Sequence, residues 1–243
     1  MSAAPAAALA LPRAVQQHLA DNVNDSAESL ANFIAEALVC ALEAREQASL
    51  LVSGGRSPIA FFAALSRHAL DWSRVTIGLV DERCVPPDSD ASNAKLVREH
   101  LLQNEAAAAH FVPLYEAGFT PEAAALRADR ALAALSTPFD AVVLGMGDDG
   151  HTASLFPDAR GTAAGFDPQR PQRVVAIWPE TAPHARLSLS VRALLDSRVL
   201  ALAISGADKR RVLEAAARAS PSQLPIAAFV QQTRVPLHVF FHA

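Results

Sequence analysis

Short apolar runs alternate with helical stretches along most of this chain, and this alternation constrains the fold more than any other feature. Several runs are apolar at consecutive positions, which is typical of parallel strands that are buried on both faces. The predicted strands cover residues 50–53, 75–80, 111–114, 139–144, 174–178, 199–204 and 235–240.

The stretches between these strands have helical spacing. Apolar residues between 26 and 47, among them Leu30, Ile34 and Leu38, predict one long amphipathic helix. Further helices are predicted at residues 58–70, 93–104, 121–135 and 207–219. Alternating strands and helices imply βαβ crossovers, so we expect an α/β fold of the Rossmann-like, three-layer kind, an open and mainly parallel sheet with helices on both faces.

No internal repeat or long linker interrupts the pattern, so we expect a single domain over residues 1–243, with a loose or lightly docked Ala/Pro-rich segment at 1–13. The 243 residues are 51% hydrophobic and 19% charged, enough to bury a large core. No apolar run is long enough to span a bilayer, and the start lacks the basic segment of a secretory signal. The sequence therefore predicts a protein that acts away from membranes.

Charge and cysteine content narrow the expected partners and the compartment. The formal net charge of −4 argues against the basic surface that nucleic-acid binding needs. Cys40 and Cys84 provide neither a disulfide framework nor a metal knuckle, so we expect a reducing, cytoplasmic compartment. A small anionic ligand would have to be held by a local cluster of cations.

The first informative loop is the S-G-G-R-S-P run at residues 53–58, directly after a predicted strand. Gly54 and Gly55 let the backbone approach a ligand, Ser57 is a good N-cap, and Pro58 suits the first helical position. This arrangement predicts a phosphate cradle at a helix N-terminus. An ordinary tight turn would have the same residues, and the run is not a Walker motif.

The second loop begins with the charged triplet Asp81, Glu82 and Arg83, at the end of a buried strand. The planar fork of Arg83 suits a carboxylate, a phosphate or a developing oxyanion. The alternative is a solvated loop with an internal ion pair.

The third loop is the run G-M-G-D-D-G-H-T-A-S-L-F-P at residues 145–157. It contains G-x-G-x-x-G, but Pro157 prevents a long helix from following, so we reject a dinucleotide site. The run leaves Asp149 and His151 at a strand end, where imidazole is a suitable general base and a carboxylate can fix its tautomer. A metal triad that also includes Asp148 is disfavoured, because adjacent carboxylates diverge.

Two further cations are candidates: Arg186 precedes the short run at residues 187–190, and Lys209 follows the predicted strand 199–204. Lys209, one of only two lysines, lies in the first turn of a predicted helix, where the helix dipole disfavours a cation unless an anion is bound. Together with Arg186 it is interpreted as a phosphate clamp, although either residue could be a solvated surface charge.

In this order, these elements resemble the 6-phosphogluconolactonase family: the S-G-G-R-S-P loop, the D-E-R triplet followed by Ser92 and Asn93, the G-H-T-A-S-L-F-P run, Arg186 and S-G-x-x-K. They extend from about residue 50 to residue 211. One departure is Arg56-Ser57, where Ser-Thr or Arg-Thr is more usual. The family's fold is similar to that of the glucosamine-6-phosphate deaminase and ribose-5-phosphate isomerase group, in agreement with the predicted architecture.

The resemblance implies hydrolysis of 6-phospho-D-glucono-1,5-lactone to 6-phospho-D-gluconate. We expect no metal or cofactor, because the ester is activated and the base is nitrogenous, and we expect a monomer or small homo-oligomer. His151 would be the general base, Asp149 would orient it, and Arg83 would stabilise the oxyanion or the emerging carboxylate. The residues implied in binding the substrate and its phosphate are Gly54, Gly55, Arg56, Ser57, Asp81, Asn93, Gly147, Arg186 and Lys209.

Two alternative functions are an amino-sugar phosphate deaminase and a non-catalytic sugar-phosphate sensor. Amino-sugar phosphate deaminases resemble G-H-I-A-F-N-E-P in this region, with a carboxylate where this chain has Phe156 and an aromatic residue where it has Arg83. Both differences favour the lactonase. A non-catalytic sugar-phosphate sensor would be accompanied by a helix-turn-helix or a basic segment, which the sequence lacks, and would not need His151.

Overall fold

A computed structural model describes residues 8–55 and 57–243. Within these residues the strands are, in chain order, β1 (Gln16–Ala20), β2 (Ala48–Val52), β3 (Val75–Leu79), β4 (Asp81–Arg83), β5 (His110–Val112), β6 (Ala141–Leu144), β7 (Val174–Ile177), β8 (Arg186–Leu189), β9 (Leu200–Ser205) and β10 (Leu237–His242). The helices are α1 (Val23–Ala44), α2 (Ile59–Leu65), α3 (Asn93–His100), α4 (Pro121–Ala131), α5 (Thr162–Phe166), α6 (Val191–Leu194), α7 (Gly206–Ala216) and α8 (Ala227–Val230).

Seven strands form one parallel sheet in the order β1, β10, β9, β6, β2, β3, β5. From β2 the chain moves outward through β3 to β5, then returns to β6 on the other side of β2 and continues outward to β9 and β10. The direction of winding therefore reverses between β2 and β6. Ligands of open α/β sheets bind beyond the carboxyl ends of the strands at such a reversal.

The apolar stripe of the longest helix explains how the sheet is covered. Helix α1 begins where the Asn22 side chain accepts hydrogen bonds from two backbone N–H groups. Leu30, Ile34 and Leu38 on its inner face are fully buried and belong to the main core, which also contains the side chains of β2, β6 and β9. The predicted α/β fold with a mainly parallel sheet and surrounding helices is confirmed.

A second sheet, with β4, β8 and β7 in antiparallel order, was not predicted. Residues 174–178 were expected in the parallel sheet, but β7 pairs with β8 instead. The expectation of a loop at residues 81–83 was also wrong, because β4 pairs with β8 and buries Asp81 and Glu82. Strand β1 was not predicted, because its residues are mostly polar or half-exposed at the edge of the sheet.

The N-terminal segment is described from residue 8 onward. Leu9 is buried, and its N–H donates to Gln17 Oε1 at 2.7 Å. The single-domain organisation over residues 1–243 stays a prediction. Among the described residues, no helix has both the length and the apolar character needed to cross a membrane.

Candidate active site

A cleft of about 410 Å³ lies beyond the carboxyl ends of β2 and β6, where the winding reverses. Ten of the predicted site residues line it: Gly54, Gly55, Ser57, Asp81, Arg83, Asn93, Gly147, His151, Arg186 and Lys209. Asp149 does not line the cleft but contacts His151. Arg56 lies outside the described residues. The sequence-predicted residues therefore converge on one place.

Asp149 holds the imidazole of His151. The Asp149 Oδ1 atom lies 2.5 Å from His151 Nδ1 and also accepts the His151 backbone N–H at 3.0 Å. Burial alone would raise the pKa of Asp149, but the hydrogen bonds from His151 and its charge outweigh this and lower that pKa. Because an ionised carboxylate only accepts hydrogen bonds, Nδ1 carries the proton and Nε2 keeps its lone pair in the neutral ring.

The backbone around His151 forms a closed turn. The Gly147 N–H donates to the His151 carbonyl at 2.9 Å, and the Thr152 hydroxyl donates to the Gly145 carbonyl at 2.8 Å. A Cβ on Gly147 would overlap the His151 ring and the Asp149 carboxylate. Glycine is needed here because the imidazole lies directly against the Gly147 backbone.

Phe156 contacts the same imidazole. The ring centroids of Phe156 and His151 are 4.1 Å apart, with an angle of 28° between the planes. The guanidinium carbon of Arg186 lies 6.0 Å from the Phe156 centroid. The Phe156 ring thus lies near both His151, the candidate base, and Arg186, a candidate for binding the phosphate.

Three cations line the cleft without an ion-pair partner among the residues that the structure describes: Arg83, Arg186 and Lys209. Arg83 Nη1 donates to the Ala91 carbonyl at 2.7 Å, and Arg186 Nη2 to the Pro183 carbonyl at 3.2 Å. Burial lowers the pKa of Arg186, and the nearby Arg83 charge lowers it further. An anion bound between these groups would relieve that cost.

A buried carboxylate faces the cleft beside these cations. Asp81 Oδ2 accepts a hydrogen bond of 2.5 Å from the Ser154 hydroxyl, and the Asp81 carbonyl accepts one of 2.9 Å from Asn93 Nδ2. The Asn93 side chain lies so close to Gly54 that a Cβ on that glycine would overlap it. The glycine loop after β2 and the start of α3 are therefore fitted together at the cleft.

The buried carboxylate of Glu82 holds the backbone of the same region in place through hydrogen bonds. Its carboxylate accepts the backbone N–H groups of Arg83, Asn93 and Ala94 at 2.6 to 2.8 Å and the Ser92 hydroxyl at 3.2 Å. Burial, with only 2% of the residue exposed, raises the pKa of Glu82, although these backbone hydrogen bonds oppose the shift. Glu82 thus caps α3 and fixes the backbone that carries Arg83 and Asn93.

The loop after β2 differs in one detail from the prediction. Helix α2 begins at Ile59 with Pro58 at the N-cap position, and no side-chain cap is formed there. Ser57 was expected to be the cap, and this was wrong. The helix instead begins with the Phe62 N–H donating to the Pro58 carbonyl at 2.8 Å, which leaves Ser57 exposed at the cleft.

Comparison with known proteins decides the family. A family model described as glucosamine-6-phosphate isomerases/6-phosphogluconolactonase matches residues 21–238. The chain belongs to this family.

Relatives in the glucosamine-6-phosphate isomerase/6-phosphogluconolactonase family match nearly the whole chain. A 6-phosphogluconolactonase from Rhizobium meliloti is 45% identical over 225 residues, which are 92% of this chain and 97% of the relative. One from Pseudomonas aeruginosa is 45% identical over 235 residues, 96% and 98% of the two chains. The crystal structure of a 6-phosphogluconolactonase from Shewanella baltica superposes with a TM-score of 0.92 at 41% identity, covering 97% of this chain and 100% of that one.

Two cleft residues of this family member, Ser154 and His242, were not singled out from its sequence. Ser154 lies inside a motif, but its hydrogen bond to Asp81 joins segments distant in sequence. His242 lines the cleft at the end of β10, opposite Ser205 of β9, and its buried Nδ1 has no partner in the described part of the chain. No local pattern marks His242, because the strand before it is simply apolar.

The described residues contain no group of three or more His, Cys, Asp or Glu side chains placed to hold a metal ion. Asp148, Asp149 and His151 therefore do not converge as the alternative metal triad would require. In this family member, His151 is instead engaged by Asp149 and Phe156.

Proposed function

We propose that this protein hydrolyses 6-phospho-D-glucono-1,5-lactone to 6-phospho-D-gluconate in the oxidative pentose phosphate pathway. The observation that carries the proposal is the Asp149–His151 hydrogen bond at a cleft lined by Arg83, Arg186 and Lys209. Hydrolysis of a phosphorylated lactone needs a base for water, positive charge for the carbonyl oxygen and positive charge for the phosphate. All three requirements have candidates at one cavity.

The reaction begins with water. His151 Nε2 accepts a proton from the water molecule as its oxygen attacks the lactone carbonyl carbon, and the Asp149 carboxylate stabilises the imidazolium through Nδ1–H. The tetrahedral intermediate then collapses, the bond between the carbonyl carbon and the ring oxygen breaks, and the imidazolium returns its proton to the leaving oxygen. The products are a carboxylate with its proton released and a free hydroxyl.

The three cations have different roles in the reaction. Arg83 stabilises the oxyanion and the emerging carboxylate. Arg186 and Lys209 hold the phosphate together with the loop formed by Gly54, Gly55, Arg56 and Ser57, and the binding energy of this remote group positions the ring for attack. The sugar hydroxyls and the ring are contacted by Asp81, Asn93 and Gly147.

The chemistry requires no metal and no cofactor, because a lactone is an activated ester and the base is an imidazole. The partner is therefore a small phosphorylated lactone. We place the enzyme in the cytoplasm as a monomer or small homo-oligomer that binds neither nucleic acid nor membrane.

Two substrates separate this proposal from amino-sugar phosphate deamination. Deamination needs a further carboxylate near the sugar ring oxygen, and at position 156 this chain has a phenyl ring stacked on His151. The protein should hydrolyse the phosphogluconolactone above the spontaneous rate and release no ammonia from glucosamine 6-phosphate. Arg83→Ala should lose about 10²–10³-fold in rate with the fold retained. Ammonia release faster than lactone hydrolysis would overturn the proposal.

A further inference from the structure

The imidazole of His151 is restrained from three directions. Asp149 fixes Nδ1, the Gly147 backbone lies against the ring, and Phe156 stacks on it with a centroid distance of 4.1 Å. Stacking at 28° is close to parallel, so the phenyl ring sets the plane in which the imidazole lies. Nε2 is then the ring nitrogen left for the substrate.

Phe156 is itself held in place by a separate hydrophobic cluster. Its buried neighbours there are Leu155, Ala159, Val175 and Ile177, and Phe156 is 7% exposed. Two of these neighbours belong to β7 of the small antiparallel sheet, and Arg186 is the first residue of β8 in that sheet. The small sheet thus supports both the phenyl ring and the guanidinium group near it.

From this geometry we infer that Phe156 is a positioning residue, which holds the His151 imidazole in its reactive orientation and stabilises the imidazolium through its aromatic face. The inference rests on the proposed lactonase function. An aromatic face attracts a cation, and the imidazolium exists only after His151 has accepted the proton of water. Phe156 therefore acts on the transition state more than on the bound substrate, and its loss should lower kcat while KM changes little.

Variants at position 156 test the kinetic role. Phe156→Leu keeps an apolar side chain but removes the aromatic face, and we expect kcat to fall about 5- to 30-fold with KM within about 2-fold of the parent. Phe156→Tyr restores the ring and should recover most of the lost kcat. The matched control is Ile177→Val, which removes one methyl group from the same cluster and leaves the ring in place. This control should keep the parental kcat.

A spectroscopic measurement tests the contact without any need for activity. The His151 Cε1 proton should be shifted upfield in the NMR spectrum by the Phe156 ring current, in the protein without substrate. Phe156→Leu should move this resonance to the position of an unstacked histidine, whereas Phe156→Tyr should keep the shift. Phe156→Met serves as the second variant if Phe156→Leu does not fold.

The outcomes separate the two proposals. An unchanged kcat in Phe156→Leu, or an equal loss in Ile177→Val, would overturn the positioning role while the lactonase function stands. An unshifted His151 resonance in the parent would do the same. A parent with the shifted resonance but no lactone hydrolysis would overturn the proposed function itself.

Discussion

Arg83 and Arg186 are register partners across β4 and β8, and both side chains line the same cleft. Burial lowers the pKa of Arg186, and the repulsion from the positive charge of Arg83 lowers it further. An anion bound in front of the two guanidinium groups would offset this repulsion. Through this pairing, Arg83, the candidate for stabilising the oxyanion, lies on the strand next to Arg186, the candidate for binding the phosphate.

The first prediction concerns the phosphate clamp. Arg186→Ala and Lys209→Ala should each weaken the binding of 6-phosphogluconate by about 10- to 100-fold in titration calorimetry, because a charge-assisted hydrogen bond in a shielded site contributes about 1.5–3 kcal/mol. Residual hydrolysis of unphosphorylated gluconolactone should barely change. Arg127→Ala, which breaks an exposed ion pair with Glu116, is the matched control. Equal losses for both lactones would indicate a fold defect instead.

The second prediction uses the close approach of Gly147 to His151. A methyl group in Gly147→Ala would overlap the imidazole and the Asp149 carboxylate, so His151 must move and kcat should fall by at least about 10-fold. Gly145→Ala is the comparison, because a methyl group there meets no atom within 4 Å. Equal rates for the two variants would show that the position of His151 does not limit turnover.

The fold was largely predictable because most strands of the main sheet coincide with short runs of apolar residues. Runs such as residues 141–144 and 199–204 are apolar at consecutive positions, and this occurs where a strand is buried on both faces. Strand β4 was not predictable in this way. Its charges are buried because Ser154 and the backbone of α3 supply hydrogen bonds from segments far along the chain.

The candidate site was likewise predictable in part from the sequence. The order of the motifs predicted which residues would meet, since the S-G-G-R-S-P loop, His151 and Lys209 follow strands whose carboxyl ends share one edge of the main sheet. Arg186 instead begins β8 of the second sheet. The stack of Phe156 on His151 depends on side-chain orientation, and the pairing of Arg83 with Arg186 depends on the register of an unpredicted sheet. Neither can be derived from spacing along the chain.

The third prediction concerns the two cysteines. Burial, reinforced by the Glu82 charge, raises the pKa of Cys84 to about 11, whereas Cys40 is exposed on α1. Because the thiolate is the reactive form, iodoacetamide at pH 8 should label Cys40 and leave Cys84 almost unmodified, as read by peptide mass spectrometry. In urea both should be labelled. Equal labelling of the folded protein would contradict the burial of Cys84.

The fourth prediction concerns stability at low pH. His18 Nε2 lies 3.0 Å from His238 Nδ1, and the His18 ring stacks on Phe240. Burial lowers the pKa of both histidines, and the charge of His18 lowers that of His238 further. The folded protein therefore binds fewer protons than the unfolded chain below about pH 6.5, so the free energy of unfolding should fall as the pH drops through that window.

Urea denaturation at pH 7 and pH 5 measures this dependence. His238→Phe should make the free energy of unfolding less sensitive to pH, because one of the lowered histidine pKa values is removed. His110→Gln, at an exposed position, is the control and should leave the pH dependence unchanged. A parent whose stability is the same at both pH values would contradict the neutral histidine pair.

The central claim is that His151, held by Asp149, removes the proton from water in lactone hydrolysis. The most direct measurement is the rate of 6-phosphogluconolactone hydrolysis by the parent and by His151→Asn, with the spontaneous rate subtracted and the binding of 6-phosphogluconate measured on both proteins. We predict that kcat falls about 10²–10⁴-fold in the variant while binding stays within a few-fold of the parent. A variant that keeps a rate within a few-fold of the parent would remove His151 from the mechanism.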